Sequence, residues 1–302
     1  RRPCPAPRGG PHTFGRVTLA EALAAARAAL RREPQPDVAA RTLLAHVLAT
    51  TTADLLARRR DPLAAPDHRA FDALVRRVAD GEPLAYVVGH QPFLDFSLRV
   101  TPAVLIPRIE TEGLAEWAIR HAHRRAAAGA PIRRVLDVGT GSGALAIALA
   151  RACPEAAVTA TDISDDALAV AADNARRLAC ADRIAFLSAD LWPPDPGEPF
   201  DLVVANLPYV GTDELDDVGR SVLDHEPHGA LFSGREGLDL LRRFVPELPS
   251  RLSPDGAAAL EIGWRQGETV VALAHMAFPD AVVTLRPDVF DRPRLVTIEP
   301  AT

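Results

Sequence analysis

No lysine occurs among the 302 residues; all 34 basic side chains are arginine. That absence removes a P-loop lysine and any Schiff-base chemistry. Cysteine is nearly as scarce. Cys4, Cys153 and Cys180 are odd in number and show no C-x-x-C spacing, which supports neither a disulfide framework nor a zinc knuckle and predicts inert thiols. The nine histidines include no metal pattern such as H-E-x-x-H, so no metal is predicted. Net positive charge is lacking too: the formal value is −6, which excludes a global field for non-specific nucleic-acid binding and leaves only a local basic groove open. No apolar run approaches the roughly 20 residues that cross a bilayer. Residues 1–12 are rich in proline, arginine and glycine and lack the apolar segment of a secretory signal. A disordered lead over residues 1–15 and a cytoplasmic location are the expectations. What is present is ordinary for a soluble globular chain, with 48% hydrophobic and 25% charged residues. The length favours one large domain plus a smaller partner.

Over residues 17–80 apolar positions recur at helical spacing (Leu19, Leu23, Leu30; Leu43, Leu44, Val47, Leu48; Phe71, Leu74, Val75, Val78), which predicts a small helical bundle stopped at Gly81. Residues 86–100 change to β-type alternation broken by Gly89, Pro92 and Asp95, as a hairpin joining two domains would be. Beyond a helix from about residue 111, strand-like and helix-like segments alternate. Strands are expected at 134–138, 158–161, 184–187, 202–205, 258–262, 282–285 and 295–298, with helices at 145–152, 165–178 and from about 238 and 266. Such alternation indicates an α/β domain with a parallel sheet.

The turn Asp137-Val138-Gly139-Thr140-Gly141-Ser142-Gly143 follows a strand and opens a helix. Its glycines permit a tight turn and close backbone approach to a ligand, and the helix N-terminus behind them favours a carboxylate or phosphate. With Ala144 the turn also satisfies the dinucleotide pattern, so at this point a nicotinamide cofactor and other adenosine-containing ligands fit equally. Asp162 ends the next strand, 19 residues after Gly143, where a carboxylate can accept from both ribose hydroxyls. Asp190 follows the third strand and can accept from an adenine amino group, with Leu191 or Trp192 over the ring.

Directly after the apolar strand at 202–205 stands Asn206-Leu207-Pro208-Tyr209, at the carboxyl edge where α/β sheets bind ligands. A planar amide or amine nitrogen is a poor nucleophile, so a catalyst must hold its N–H groups with acceptors and aim the nitrogen. Asn206 Oδ1 and the Leu207 carbonyl are suitable acceptors, Pro208 restricts the turn, and Tyr209 offers a flat wall.

Together these elements resemble the release factor glutamine methyltransferase family, over nearly the whole chain. Further motifs carry the likeness: Gly81-Glu82-Pro83-Leu84-Ala85-Tyr86 with Gly89; Val104-Leu105-Ile106-Pro107-Arg108 with Glu110-Thr111-Glu112; Glu226-Pro227; Leu231 through Gly237-Leu238-Asp239; and Glu261-Ile262-Gly263 with Gln266. The resemblance implies a class I, Rossmann-like methyltransferase domain with a seven-stranded, mostly parallel sheet over residues 107–302. It also implies an N-terminal helical domain over 16–82 that grips the substrate, and a β-hairpin linker over 83–106. It implies S-adenosyl-L-methionine as cofactor, contacted by Asp137, Gly139, Thr140, Gly141, Ser142, Gly143, Asp162, Asp190, Leu191 and Asn206, with Pro107 and Arg108 nearby. The implied reaction is methylation of the side-chain amide of the glutamine in the Gly-Gly-Gln motif of peptide chain release factors, held by Asn206, Leu207, Pro208 and Tyr209. A monomer that acts on protein, without direct nucleic-acid or membrane binding, is expected. Three residues depart from the family's pattern: Leu207 and Ile109 stand where proline is usual, and His225 where tyrosine is usual. Leu207 restores a backbone N–H and loosens φ, yet keeps its carbonyl, and Pro208 still restricts it.

Three other readings compete. A nucleic-acid adenine N6-methyltransferase would present the same planar nitrogen geometry, but has no reason to share the motifs at 81–112. A non-catalytic S-adenosylmethionine-binding protein would bind without turnover. An NAD-dependent oxidoreductase explains Gly139 to Ala144 and Asp162, and leaves Asn206 to Tyr209 without a role.

Overall fold

Thr18 closes a capping box at the start of the first helix: its hydroxyl accepts from the Glu21 N–H at 3.3 Å, and the Glu21 carboxylate accepts from the Thr18 N–H at 2.8 Å. Helix α1 (Leu19–Ala29) is followed by α2 (Pro36–Val47), α3 (Thr52–Ala57), α4 (Ala65–Ala79) and α5 (Leu84–Val88). Their apolar faces share one core that includes Leu19, Leu43, Leu44, Leu55, Phe71 and Val78, which is the bundle the helical spacing predicts. Gly81 stops α4 with φ +107°, a conformation glycine takes without Cβ strain. The computed structural model describes residues 17–195 and 197–301, so the lead expected over residues 1–15 lies outside the described residues. The chain divides into two compact units, Arg1–Val88 and Gly89–Thr302.

Residues 86–88, which read as the start of a hairpin, instead complete α5. The Pro83 carbonyl accepts from the Tyr86 and Val87 N–H groups at 3.0 and 3.1 Å, and Val87 and Val88 are buried in the helical core. Packing overrides their β preference. The hairpin itself is β1 (His90–Phe93) and β2 (Phe96–Arg99), with Phe93 opposite Phe96, and it belongs to the second unit.

The rest of that unit runs α6 (Ile109–Ala127), β3 (Arg134–Val138), α7 (Ala144–Ala152), β4 (Ala157–Asp162), α8 (Asp165–Arg177), β5 (Ile184–Ser188), β6 (Phe200–Ala205), α9 (Arg220–His225), α10 (Asp239–Phe244), α11 (Leu248–Arg251), β7 (Leu252–Glu261), α12 (Gly267–Ala277), β8 (Val282–Pro287) and β9 (Pro293–Glu299). The seven strands β3 to β9 form one sheet in the order β5-β4-β3-β6-β7-β9-β8. Neighbours from β5 to β7 pair in parallel, and β9 is antiparallel to both β7 and β8. This is the class I methyltransferase fold. The two-residue period of a strand sends alternate side chains to opposite faces: Val135, Leu202 and Val204 join a core with α6 and α7. Leu136, Val203 and Ala205 join a second core with α10 and α12 on the other face. Both faces being covered, the strands read as continuous apolar runs. Among the described residues no helix is long and apolar enough to cross a membrane.

Candidate active site

Strand order reverses at β3, with β4 on one side and β6 on the other, and a crevice opens at the carboxyl ends of strands at such a switch point. Val138 pairs with Thr161 of β4 and with Ala205 of β6. The residues that follow, Gly139, Asp162 and Asn206, therefore meet at one edge of the sheet. They line a cavity of about 550 Å³, within the roughly 300–1,000 Å³ usual for small-molecule sites.

Gly139 has φ +72° and Gly143 φ +86°. A Cβ on Gly139 would lie 3.2 Å from Leu207 Cδ2, and one on Gly143 3.2 Å from Ala171 Cβ, so both glycines admit close packing as well as the turn. The Gly139 and Thr140 N–H groups both donate to the Thr161 carbonyl at 2.9 Å. Asp162 fixes the next step of the loop: Oδ2 accepts from the Gly141 N–H and Oδ1 from the Ser164 N–H, each at 2.9 Å. A carboxylate oxygen has two lone pairs, so each retains one toward the cavity it lines.

Asp137 sits beneath the loop, fully buried and off the cavity wall. Its Oδ2 accepts from Thr140 Oγ1 at 2.7 Å and from the Ala146 N–H at 3.0 Å, which fastens the loop to the first turn of α7. Its Oδ1 is buried with no hydrogen-bond partner among the described residues. Burial pushes its pKa up to about 7, against the pull of the Thr140 and Ala146 hydrogen bonds.

Thr140, Gly141, Ser142, Asp190 and Leu191 line the cavity, whereas Gly143 packs behind it. The Asp190 carboxylate pairs with Arg243 at 2.8 Å. Leu191, at φ +68°, lines the cavity, and Trp192 instead stacks on Phe244 in the core, ring centroids 4.5 Å apart. Of the two candidates for covering a ring, Leu191 lines the cavity and Trp192 does not. Pro107 and Arg108 also line the cavity. The Arg108 guanidinium pairs with buried Glu226, whose second oxygen accepts from the Ile106 N–H at 3.0 Å.

Asn206, Leu207 and Pro208 line the same cavity as Asp162. Leu207 buries its side chain to 3% exposure over Gly139, which explains how a leucine fits where the family favours proline. Asn206 Nδ2 donates to Thr111 Oγ1 at 3.0 Å, and Asn206 Oδ1 carries no hydrogen bond to the described residues. Tyr209 does not line this cavity. Its hydroxyl donates to buried Glu261 at 3.1 Å, and Gln266 Nε2 donates to its carbonyl at 2.8 Å and to that of Glu236 at 3.0 Å. Gln266 Oε1 accepts from the Gly263 N–H at 2.9 Å. The motifs around Gly237, Glu261 and Gln266 thus converge on Tyr209, the first and last on its carbonyl and Glu261 on its hydroxyl, and hold the segment that carries Asn206.

Known proteins can be set beside this geometry. Residues 21–89 match the family model described as PrmC N-terminal domain, and residues 135–225 match the one described as methyltransferase domain. A release factor glutamine methyltransferase of Bordetella pertussis is 42% identical over 243 residues, covering 80% of this chain and 87% of that protein. One of Bacillus anthracis is 36% identical over 281 residues, covering 92% and 98%. The chain belongs to the release factor glutamine methyltransferase family. Among solved structures, the hMettl16 catalytic domain in complex with an RNA hairpin aligns with a TM-score of 0.50 at 14% identity, over 78% of this chain and 82% of that one. At that identity the likeness concerns the fold alone.

Within the family frame, two side chains at the site were not anticipated as such. Thr111 stands in the sequence only as part of the motif at 110–112, and Arg243 belongs to no motif. Their partners, Asn206 and Asp190, lie 95 and 53 residues away, separations that no local periodicity reports.

Proposed function

We propose that this protein transfers the methyl group of S-adenosyl-L-methionine to the side-chain amide nitrogen of the glutamine in the Gly-Gly-Gln motif of peptide chain release factors. The observation that carries the reading is the placement of Asn206 and Leu207 beside the glycine loop at the switch point of a chain in this family.

The cavity fits the cofactor by its donor set. Asp162 keeps lone pairs for two ribose hydroxyls, Asp190 presents a carboxylate for an adenine amino group, and Leu191 gives the ring an apolar face. Gly139, Thr140, Gly141 and Ser142 bring backbone up to the ligand, and Asp137 and Gly143 shape the turn from behind. When bound, S-adenosylmethionine supplies a methyl carbon activated by an adjacent sulfonium. The protein's part is orientation. Asn206 Oδ1 and the Leu207 carbonyl accept the two amide N–H groups and aim the nitrogen, Pro208 limits the freedom of that carbonyl, and Tyr209 is held as backing. Transfer would form the N–C bond as the cofactor's C–S bond breaks, and the surplus proton would leave the nitrogen for solvent. No strong base is needed to start.

In this reading residues 16–82 grip the release factor, residues 83–106 link the two parts, and residues 107–302 carry the chemistry; the enzyme works as a cytoplasmic monomer. The test is incubation of a purified release factor with protein and S-adenosylmethionine. Methyl incorporation at the motif glutamine, lost in Asn206→Ala, supports the assignment. Cofactor binding without incorporation overturns it.

A further inference from the structure

Asn174 on α8 is 1% exposed and does not line the cavity. A buried carboxamide has an oxygen and two N–H groups to satisfy. Here all three are placed. Oδ1 accepts from the Arg99 N–H at 2.7 Å, and Nδ2 donates to the Arg99 carbonyl and to the Ser142 carbonyl, each at 2.9 Å. One side chain therefore takes both main-chain groups of the last residue of β2 together with a carbonyl of the glycine loop. The amide orientation is fixed by the same partners: turned over, it would set its NH₂ against the Arg99 N–H and its oxygen against two carbonyls.

Both partners lead to the cavity. Ser142 lines it, and from Arg99 the chain runs on to Ala103, Val104, Leu105 and Pro107, which line another part of it. The peptide between Ser142 and Gly143 is held at both ends, because the Gly143 N–H donates to the Thr140 carbonyl at 2.9 Å. One turn earlier on α8, Ala171 Cβ lies 3.2 Å from where a Cβ on Gly143 would stand. The neighbouring Asp173–Arg99 ion pair, at 3.2 Å, is solvent-exposed and contributes little. The buried amide is the connection that matters.

We infer that Asn174 is a positioning residue for the cofactor cavity: it ties the glycine loop to the β1–β2 hairpin, so that the hairpin is part of the cofactor site as well as a link in the chain. Asp162 fixes the loop at Gly141, and Asn174 fixes it at Ser142 from behind. Without Asn174 a buried carbonyl loses its donor, and the peptide after Ser142 is free to turn backbone away from the ligand it must approach. The Asn206 segment is held by other residues, Glu261 and Gln266, so the effect falls on cofactor binding and not on the transfer step. The inference rests on the cofactor reading given above.

The experiment combines calorimetry, steady-state methylation and amide hydrogen exchange on the full chain. Asn174→Ala should weaken S-adenosylhomocysteine binding at least about 10-fold and raise the S-adenosylmethionine KM to match, with kcat at saturation within about 3-fold of wild type. A merely structural role would lower the amount of folded enzyme and leave that KM unmoved. In the wild type, S-adenosylhomocysteine should slow exchange of the Arg99 N–H at least about 5-fold, although Arg99 does not line the cavity. Asn174→Ala should abolish that response. Asn174→Asp separates the two legs and carries the affinity test should the alanine variant not fold. Its carboxylate still accepts from the Arg99 N–H but has no proton for the Ser142 carbonyl, so affinity should fall while Arg99 exchange in the free protein stays slow. Wild-type affinity in either variant overturns the inference, as does Arg99 exchange in the wild type that ignores the ligand. Failure to methylate a release factor while these responses hold defeats the substrate assignment alone, because binding and exchange need no release factor.

Discussion

Gly237→Ala should damage both stability and turnover, although Gly237 does not line the cavity. Its φ is +72°, and a Cβ there would stand 2.0 Å from the Tyr209 carbonyl oxygen and 2.7 Å from Gln266 Nε2. Holding alanine in the left-handed region costs about 1–2 kcal/mol. Displacing Gln266 forfeits its bonds to the Tyr209 and Glu236 carbonyls, about 1 kcal/mol each. The sum is roughly 3–4 kcal/mol, readable as a shift of the denaturant midpoint at constant slope. To relieve the contact the Tyr209 carbonyl must retreat by about 1 Å, and a misplacement of that size in a reacting pair can cost about 100-fold in rate. Because the glycine loop and Asp162 are untouched, affinity for S-adenosylhomocysteine, read by calorimetry, should stay within about 3-fold. A variant that unfolds within about 0.5 kcal/mol of wild type and turns over normally would refute the claim that this glycine clasps the Asn206 segment.

Other perturbations separate the parts of the site. Asp162→Ala should weaken S-adenosylhomocysteine binding at least about 10-fold by calorimetry, since in the proposed reading it removes the acceptor for two ribose hydroxyls, and it frees the Gly141 N–H; unchanged affinity would place the ribose elsewhere. Leu207→Ala should destabilise by about 2–4 kcal/mol because the side chain fills core space over Gly139, and chemical denaturation reads this directly. For pH, the sign follows from Asp137, whose folded pKa of about 7 lies above its ordinary 3.8. A raised carboxyl favours the fold while protonated, so its contribution is complete in acid below the ordinary value and lost as pH rises through about 7. In cofactor-free protein, Asp137→Asn should remove a fall of at most about 1.4 kcal/mol per pH unit between those limits; a variant with the wild-type pH slope contradicts it.

The sheet was legible because its strands are buried on both faces. Val135 and Leu136, or Leu202 and Val203, feed opposite cores, so each strand is an apolar run bounded by turn residues. The glycine turn, Asp162 and Asn206 were legible because each stands directly after such a run, and the reversal of strand order at β3 brings the strand ends together. Residues 86–88 misled because valine and tyrosine look β-like while tertiary packing holds them in α5. Helices α9 and α11 are one or two turns long, too short for a periodic pattern. Trp192 could not be told from Leu191 in the sequence, since the two are adjacent and only the folded chain puts Leu191 on the cavity wall and Trp192 against Phe244. The links from Asn206 to Thr111 and from Tyr209 to Glu261 and Gln266 join distant segments, and their geometry follows only from the assembled sheet.

The central claim is tested most directly by mass spectrometry of a release factor after incubation with the wild-type protein or Asn206→Ala and S-adenosylmethionine. The account predicts the added mass of one methyl group on the glutamine of the Gly-Gly-Gln peptide with wild type and none with the variant. An unmodified glutamine while S-adenosylmethionine still binds, or equal modification by both proteins, would contradict it.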